Sequence, residues 1–254
     1  MKIRFLGTGA ADWNIDERKD GEFFRRLSSL LVNDDLLIDP GPHIFDFCSK
    51  EGCPSLLDSV ENVLVTHSHM DHFNAESLAE LVRRNNVHVF CNETVSHKVC
   101  TITDNYTVLN ACDEIQVGGY RVNAFFANHS VIANGERALV YGVCDGEKNL
   151  FYGCDSAWLP YQTWRAMGQT SYDCVVLEVT IGDVVGDYRI FEHNNIEMAK
   201  MMLETMRNRN VLKNGGVAVG THFSKYAHLD HERLSARLSS FGMTAAYDGL
   251  EIEF

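Results

Sequence analysis

Residues 63–72 read Val63-Leu64-Val65-Thr66-His67-Ser68-His69-Met70-Asp71-His72. The aliphatic triplet is an apolar run of the kind that forms a buried strand, and a donor-rich polar segment follows at its carboxyl end. In extended chain, residues i and i+2 project to the same side, so His67 and His69 can share one metal ion. Asp71 and His72 come one turn further on, as a helical segment begins, and can reach a second ion beside the first. So dense a cluster of nitrogen and oxygen donors, in a chain with 11 histidines, reads as the nucleus of a metal site and not as a solvated turn.

The later chain supplies further donors singly, each after an apolar run. His129 follows Val122–Ala127, Asp155 closes Leu150-Phe151-Tyr152-Gly153-Cys154, and His222 follows Val217-Ala218-Val219-Gly220-Thr221. Alone, each reads equally well as a capped loop residue. Together they give the order His-x-His-x-Asp-His … His … Asp … His. All these donors are imidazole nitrogen or carboxylate oxygen, a set that suits zinc and accepts manganese or iron. Cys154 adjoins Asp155, but neighbours on a strand face opposite ways, so a packing role is expected for it.

Short β-branched runs recur around these donors: Lys2–Leu6, Ser29–Val32, Leu36–Ile38, Asn62–Thr66, Val87–Cys91, Arg121–Ala127, Leu139–Cys144, Leu150–Tyr152, Cys174–Val179 and Val217–Gly220. Helical periodicity is clearest in Ala75–Asn85, Asn195–Asn208 and His231–Ser240. This predicts a layered α/β protein with helices covering sheet faces, in a single domain over residues 1–254. Met198, Met202 and Met206, with Met201 beside them, read as the buried face of an amphipathic helix and not as a metal or haem box.

Composition narrows the function. The 254 residues are 45% hydrophobic and carry a formal net charge of −13, which excludes disordered and low-complexity classes. That charge argues against long nucleic acids and anionic membranes as partners. The N-terminus lacks a signal-peptide core, no apolar run spans a bilayer, and the eight cysteines form no C-x-x-C pair. A reduced, cytoplasmic protein is expected.

On these residues the chain resembles the metallo-β-lactamase superfamily of binuclear hydrolases. Gly7-Thr8-Gly9 and Leu37-Ile38-Asp39-Pro40-Gly41 extend the likeness over nearly the whole chain. The resemblance implies a four-layer αββα sandwich with two divalent ions at the mouth between two sheets. His67, His69 and His129 would hold the first ion; Asp71, His72 and His222 would hold the second; Asp155 would bridge. A hydroxide bridging the ions would be the nucleophile, with Asp71 also orienting it.

A leaving alkoxide needs a proton that metals cannot donate. His193, at the start of the Met-rich helix, can donate one or hold a phosphate where helix N–H groups point outward; otherwise it simply begins the helix. Glu178, ending Val175-Val176-Leu177, is the carboxylate that would orient its ring. With Arg26-Leu27-Ser28-Ser29 and Asp155-Ser156-Ala157-Trp158-Leu159-Pro160, this pair is similar to the phosphodiesterase branch. That branch contains transfer-RNA 3′-processing nucleases and, nearer in size, the phosphoribosyl cyclic phosphodiesterase of phosphonate breakdown. The chain lacks the cysteine-rich zinc insertion of the second and the basic arm of the first. The expected function is metal-dependent hydrolysis of a small, cyclic or nucleotide-derived phosphodiester. The alternatives are lactone, thioester or carboxylic ester hydrolysis at the same ions, or non-catalytic nucleotide binding; a homodimer is compatible with all three.

Weaker candidates complete the reading. Trp13 and Trp158 either wall the pocket or pack, and Lys225 either meets a phosphate or is a solvated lysine. His228-Leu229-Asp230-His231 reads as a helix start with Asp230 as cap and not as a second metal patch. His43 lies near the expected pocket mouth.

Overall fold

Alternate residues of the short apolar runs go to opposite sides and split them between two cores. Ile3, Phe5, Leu30, Val32, Leu36, Ile38 and Leu64 enter the larger core. Leu31, Leu37, Val63, Val65 and Val89 enter the smaller one, where they meet Ile44, Phe47, Leu78, Leu81, Val95 and Val99 of the helices. A sheet apolar on both faces must be covered on both, and that requirement sets the layering.

The computed structural model describes residues 1–19, 21–131, 135–228 and 230–254. The first half carries β1 (Lys2–Gly7), β2 (Ser29–Val32), β3 (Leu36–Ile38), α1 (Ile44–Lys50), β4 (Asn62–Leu64), α2 (Ala75–Asn85), β5 (His88–Cys91), α3 (Glu93–Val99) and β6 (Tyr106–Val108). The second carries β7 (Glu114–Val117), β8 (Tyr120–Val131), β9 (Glu136–Cys144), β10 (Asn149–Gly153), α4 (Tyr161–Met167), β11 (Tyr172–Glu178), α5 (Ile196–Asn208), β12 (Leu212–Thr221), α6 (His231–Ser239), β13 (Thr244–Ala245) and β14 (Glu251–Glu253).

Two seven-stranded sheets result, ordered β14-β1-β2-β3-β4-β5-β6 and β13-β12-β11-β10-β9-β8-β7. Helices α1–α3 cover the first sheet, while α4, α5 and α6 pack on β8, β12 and β13 of the second. This is the expected four-layer αββα sandwich. Each sheet is antiparallel on one side and parallel on the other, changing at β3 in the first and at β10 in the second. Strands β4, β10, β11 and β12 therefore run into the site with their carboxyl ends, where crevices form in open α/β sheets.

Local chemistry places the helices. Asn74, Asn92, Asn195 and Asp230 each accept the backbone N–H three residues on and cap α2, α3, α5 and α6. Met198, Met202 and Met206 are buried in the core, whereas Met201 stands 48% exposed. The eight cysteines are free thiols, four of them buried. Among the described residues, no helix is long and apolar enough to cross a membrane.

The segment after β12 carries a half-buried histidine. His228 donates from Nε2 to the Thr180 carbonyl at 3.1 Å, while its Nδ1 is buried without a partner. Burial, aided by the nearby Arg25 charge, lowers its pKa from 6.5 to about 4. Between pH 4 and 6.5 the unfolded chain binds more protons at this ring than the folded chain, so stability falls on acidification through that window. The metal-free wild type should lose about 2 kcal/mol more than His228→Gln between pH 7 and 4.5. Denaturant midpoints at the two pH values measure this; parallel losses in the two chains would show that His228 is not the cause.

Candidate metal centre

Backbone conformation does the first part of the positioning. Asp39, Asp155 and His222, each just past a strand end, adopt left-handed φ values of 62°, 48° and 57°. Such conformations are uncommon outside glycine and persist where surrounding contacts determine them. His129 lies within β8 at an irregularity of its pairing with β9 between Phe126 and Ser130. A bulge of this kind turns a side chain away from the regular alternation of the strand. Asp71 and His72 belong to a hydrogen-bonded turn, His72 and Phe73 both donating to the His69 carbonyl. They precede α2, which begins at Ala75 as the periodicity predicts, and sit in the turn that leads into it.

These elements bring the seven candidate donors together in two groups that share one carboxylate. Atoms of His67, His69, His129 and Asp155 lie within 4.8 Å of one another, as do atoms of Asp71, His72, Asp155 and His222. Asp155 Oδ2 is 3.5 Å from His67 Nε2, 3.0 Å from His72 Nε2 and 3.7 Å from His129 Nε2. His222 Nε2 lies 3.1 Å from Asp71 Oδ2.

A supporting layer fixes the rings. Asp39 is fully buried and accepts from the Thr66 N–H, the Thr66 hydroxyl and His72 Nδ1, each within 3.0 Å. The Thr66 hydroxyl lies 3.0 Å from His67 Nδ1. Across the site, Thr180 Oγ1 donates to Glu178 at 2.5 Å and lies 2.8 Å from His222 Nδ1. Two parallel relays result, histidine to threonine to carboxylate, and each turns the ring's Nε2 toward the donor cluster. Asp39, Thr66 and Thr180 went unassigned in the sequence; the signal for Asp39 was an acid between a strand and Pro40-Gly41.

The donor set was tested against a metal by what its polar atoms lack. Among the described residues, His67 Nε2 and His72 Nε2 are buried without an aligned hydrogen bond, and Asp155 Oδ1 faces only His222 Nδ1, at 2.9 Å and out of line. Buried polar atoms are almost always satisfied, so several orphans converging on one point mark a place for cations. The electrostatics agree. Burial opposes charge on His72 and His222, yet Asp155 and the other acids outweigh it, raising His72 well above its usual value and His222 to about 10. For His67, burial and the neighbouring imidazoles prevail and hold the ring neutral. Residues and metal fit: this arrangement can hold divalent ions.

A family model described as "Beta-lactamase superfamily domain" matches residues 35–223. The chain belongs to the metallo-β-lactamase superfamily. A UPF0173 protein of Pyrococcus furiosus is 26% identical over 206 residues, covering 80% of this chain and 81% of that one. Zinc-bound PqqB from Methylobacterium extorquens is similar in fold, with a TM-score of 0.76, 17% identity and 100% of both chains covered. The short form of human tRNase Z gives 0.72 and 17%, covering 100% of this chain and 99% of that one.

For this superfamily member the remaining sequence candidates sort as follows. His193 and Glu178 approach the second group, as described below. Trp13 borders the site, its indole donating to the Phe223 carbonyl at 2.7 Å; Trp158 is 43% exposed. Lys225 is turned away into an ion pair with Glu17. Arg26 is buried and bound to Asp46 and Glu51, so it braces the fold. His43 Nδ1 accepts from the Leu27 N–H, and His231 Nδ1 accepts from Arg25, so both are structural. Leu229 lies outside the described residues; Asp230 caps α6 as expected. Cys154 is buried in the larger core.

Asp155 carries the shared oxygen, so its loss should cost both groups. Asp155→Ala should retain one divalent ion or none after gel filtration in place of about two, with the fold intact by circular dichroism. Elemental analysis measures this, and a variant that still holds two ions would remove Asp155 from the bridging position.

Proposed function

We propose that this metal-dependent hydrolase cleaves small phosphodiesters, cyclic or nucleotide-derived, with two zinc or manganese ions held by the seven donors above. His67, His69 and His129 would bind the first ion and Asp71, His72 and His222 the second, with Asp155 between them. When bound, such ions supply Lewis acidity and a water made acidic enough to react near neutral pH. Everything else the reaction needs must come from the chain.

The observation that carries the reading is His193. Its ring centroid lies 4.9 Å from that of His129 and stacks 5.6 Å from that of His222, so it spans both groups. Its Nδ1 is 3.6 Å from Asp155 Oδ1 and 3.7 Å from Glu178 Oε1, beyond hydrogen-bond reach of either. Burial works against a proton on this ring, but Glu178 and Asp155 outweigh it and raise the pKa. With Nδ1 buried, Nε2 is the atom that can meet a substrate. A protonated imidazole beside two cations serves a leaving alkoxide or a phosphoryl oxygen, both of which need positive charge or a proton.

Two expectations change. His193 is not on the helix: it follows the 3-10 turn Tyr188–Phe191 and donates its N–H to the Arg189 carbonyl. Nor are the N–H groups of Asn194, Ile196 and Met198 free for an anion, since they donate to Glu178, Gly182 and Asn195. Glu178 is fully buried, with its carboxylate engaged by Thr180 and Asn194. It therefore acts on His193 through its charge and does not reach the substrate.

A cleft of about 800 Å³ opens beside His69, lined by Ser68, Met70, His97, Lys98 and Glu192 among others. That size accommodates a small molecule. Together with the net charge of −13, it favours a compact phosphodiester over a polymer. The similarity in fold to tRNase Z is compatible with phosphodiester chemistry without specifying the substrate.

Hydrolysis of bis(p-nitrophenyl) phosphate should disappear with chelator and return with Zn²⁺ or Mn²⁺. His193→Ala should lower this turnover by roughly 10²–10⁴ while two ions remain bound. Lactone turnover exceeding diester turnover, with His193→Ala harmless, would overturn the phosphodiester reading.

A further inference from the structure

Glu136 belongs to neither donor group, yet it is wired to one of them. It opens β9 and is only 8% exposed. Its Oε1 accepts from the Ser68 N–H at 2.9 Å and from Asn92 Nδ2 at 2.6 Å. Its Oε2 accepts from the Ser68 hydroxyl in a short hydrogen bond. Ser68 is the residue between His67 and His69, and residues 65–69 lie in no sheet ladder. Asn92 caps α3 by accepting the Val95 N–H, and α3 presents His97 and Lys98 to the cleft beside His69.

We propose that Glu136 is a positioning residue. It locks the His67-Ser68-His69 turn to the start of α3 and so sets both the bite of the first donor group and the wall of the cleft. The proposal rests on the two-ion reading of the site. Its physical basis is local. On this turn the Thr66 carbonyl is anchored to the Leu139 N–H of β9, and Ser68, two residues on, is anchored among the described residues by Glu136. The second group has independent anchors, His72 on Asp39 and His222 on Thr180, and in the first group His67 rests on Thr66, so His69 is the donor that depends on Glu136. Loss of Glu136 therefore loosens one group and spares the other. Hydrogen bonds carry the effect: a glutamine still accepts the Ser68 N–H, and the Ser68 hydroxyl can turn to accept from the new amide.

Stepwise zinc titration against a chromophoric chelator reports two dissociation constants, and His69→Ala identifies the one belonging to the first group. Glu136→Ala should weaken that constant about 10–100-fold, as removal of a partner behind a metal ligand does. Glu136→Gln should stay within about fivefold of wild type, the worth of roughly one hydrogen bond. The second constant should be unchanged in both variants. Should Glu136→Ala fail to fold when metal-free, Ser68→Ala, which removes one of the three donors, should weaken the first constant by about fivefold. Wild-type affinity in Glu136→Ala or Ser68→Ala, equal weakening of both constants, or Glu136→Gln falling as far as Glu136→Ala overturns the role of Glu136. Fewer than two zinc ions on the wild-type chain overturns the two-ion reading, and this proposal with it.

Discussion

One buried carboxylate governs the site. Asp155 is 2% exposed, its Oδ2 faces three histidines, and its Oδ1 lies 2.9 Å from His222 Nδ1 without an aligned hydrogen bond among the described residues. The other buried acids nearby are satisfied: Asp39 by Thr66 and His72, Glu178 by Thr180 and Asn194, Glu136 by Ser68 and Asn92. An unpartnered buried polar atom costs on the order of 1–3 kcal/mol, more when charged. The fold concentrates that cost at the junction of its two sheets, together with the free Nε2 atoms of His67 and His72. Cations offset it, and the protons that the acids hold on His72 and His222 stand in the same relation to the site.

The two sheets make this junction possible by repeating one device. At the end of β4, Thr66 stands between Asp39 and His67; beyond β11 and β12, Thr180 stands between Glu178 and His222. Each relay fixes a ring nitrogen on the protein side and exposes the other to the centre. Threonine is well suited because its hydroxyl both donates and accepts, so a carboxylate can orient an imidazole it does not touch. Asp39 serves His72 directly and His67 through Thr66, which ties a donor of each group to one acid.

The donor cluster and the layered α/β architecture were legible because they are written in short-range pattern, and the four-layer αββα form followed from the family resemblance that the cluster carries. His67, His69, Asp71 and His72 are adjacent, and His129, Asp155 and His222 each follow an apolar run. Strands β6, β7, β13 and β14 and helices α1, α3 and α4 were not read, because elements of two to seven residues show little periodicity. The supporting residues were illegible for a different reason. Glu136, Thr180 and Asn194 are ordinary polar residues whose roles come from contacts 16 to 68 positions away. His193 was recognised as a site residue but misplaced onto a helix, since a 3-10 turn followed by an asparagine cap looks in sequence like a helix start.

Glu178 shows how burial divides labour among carboxylates of the same chemistry. Its neighbours Thr180 and Asn194 donate to its carboxylate, and at 3.7 Å it still biases the proton on His193. Asp155, 3.6 Å from the same ring nitrogen, faces only histidine rings among the described residues and so remains available to cations. A cation held by Asp155 would draw that oxygen's charge away from His193, while Glu178 would keep its own. A carboxylate already engaged by Thr180 and Asn194 is thus the one better placed to sustain a protonated His193 beside metal ions.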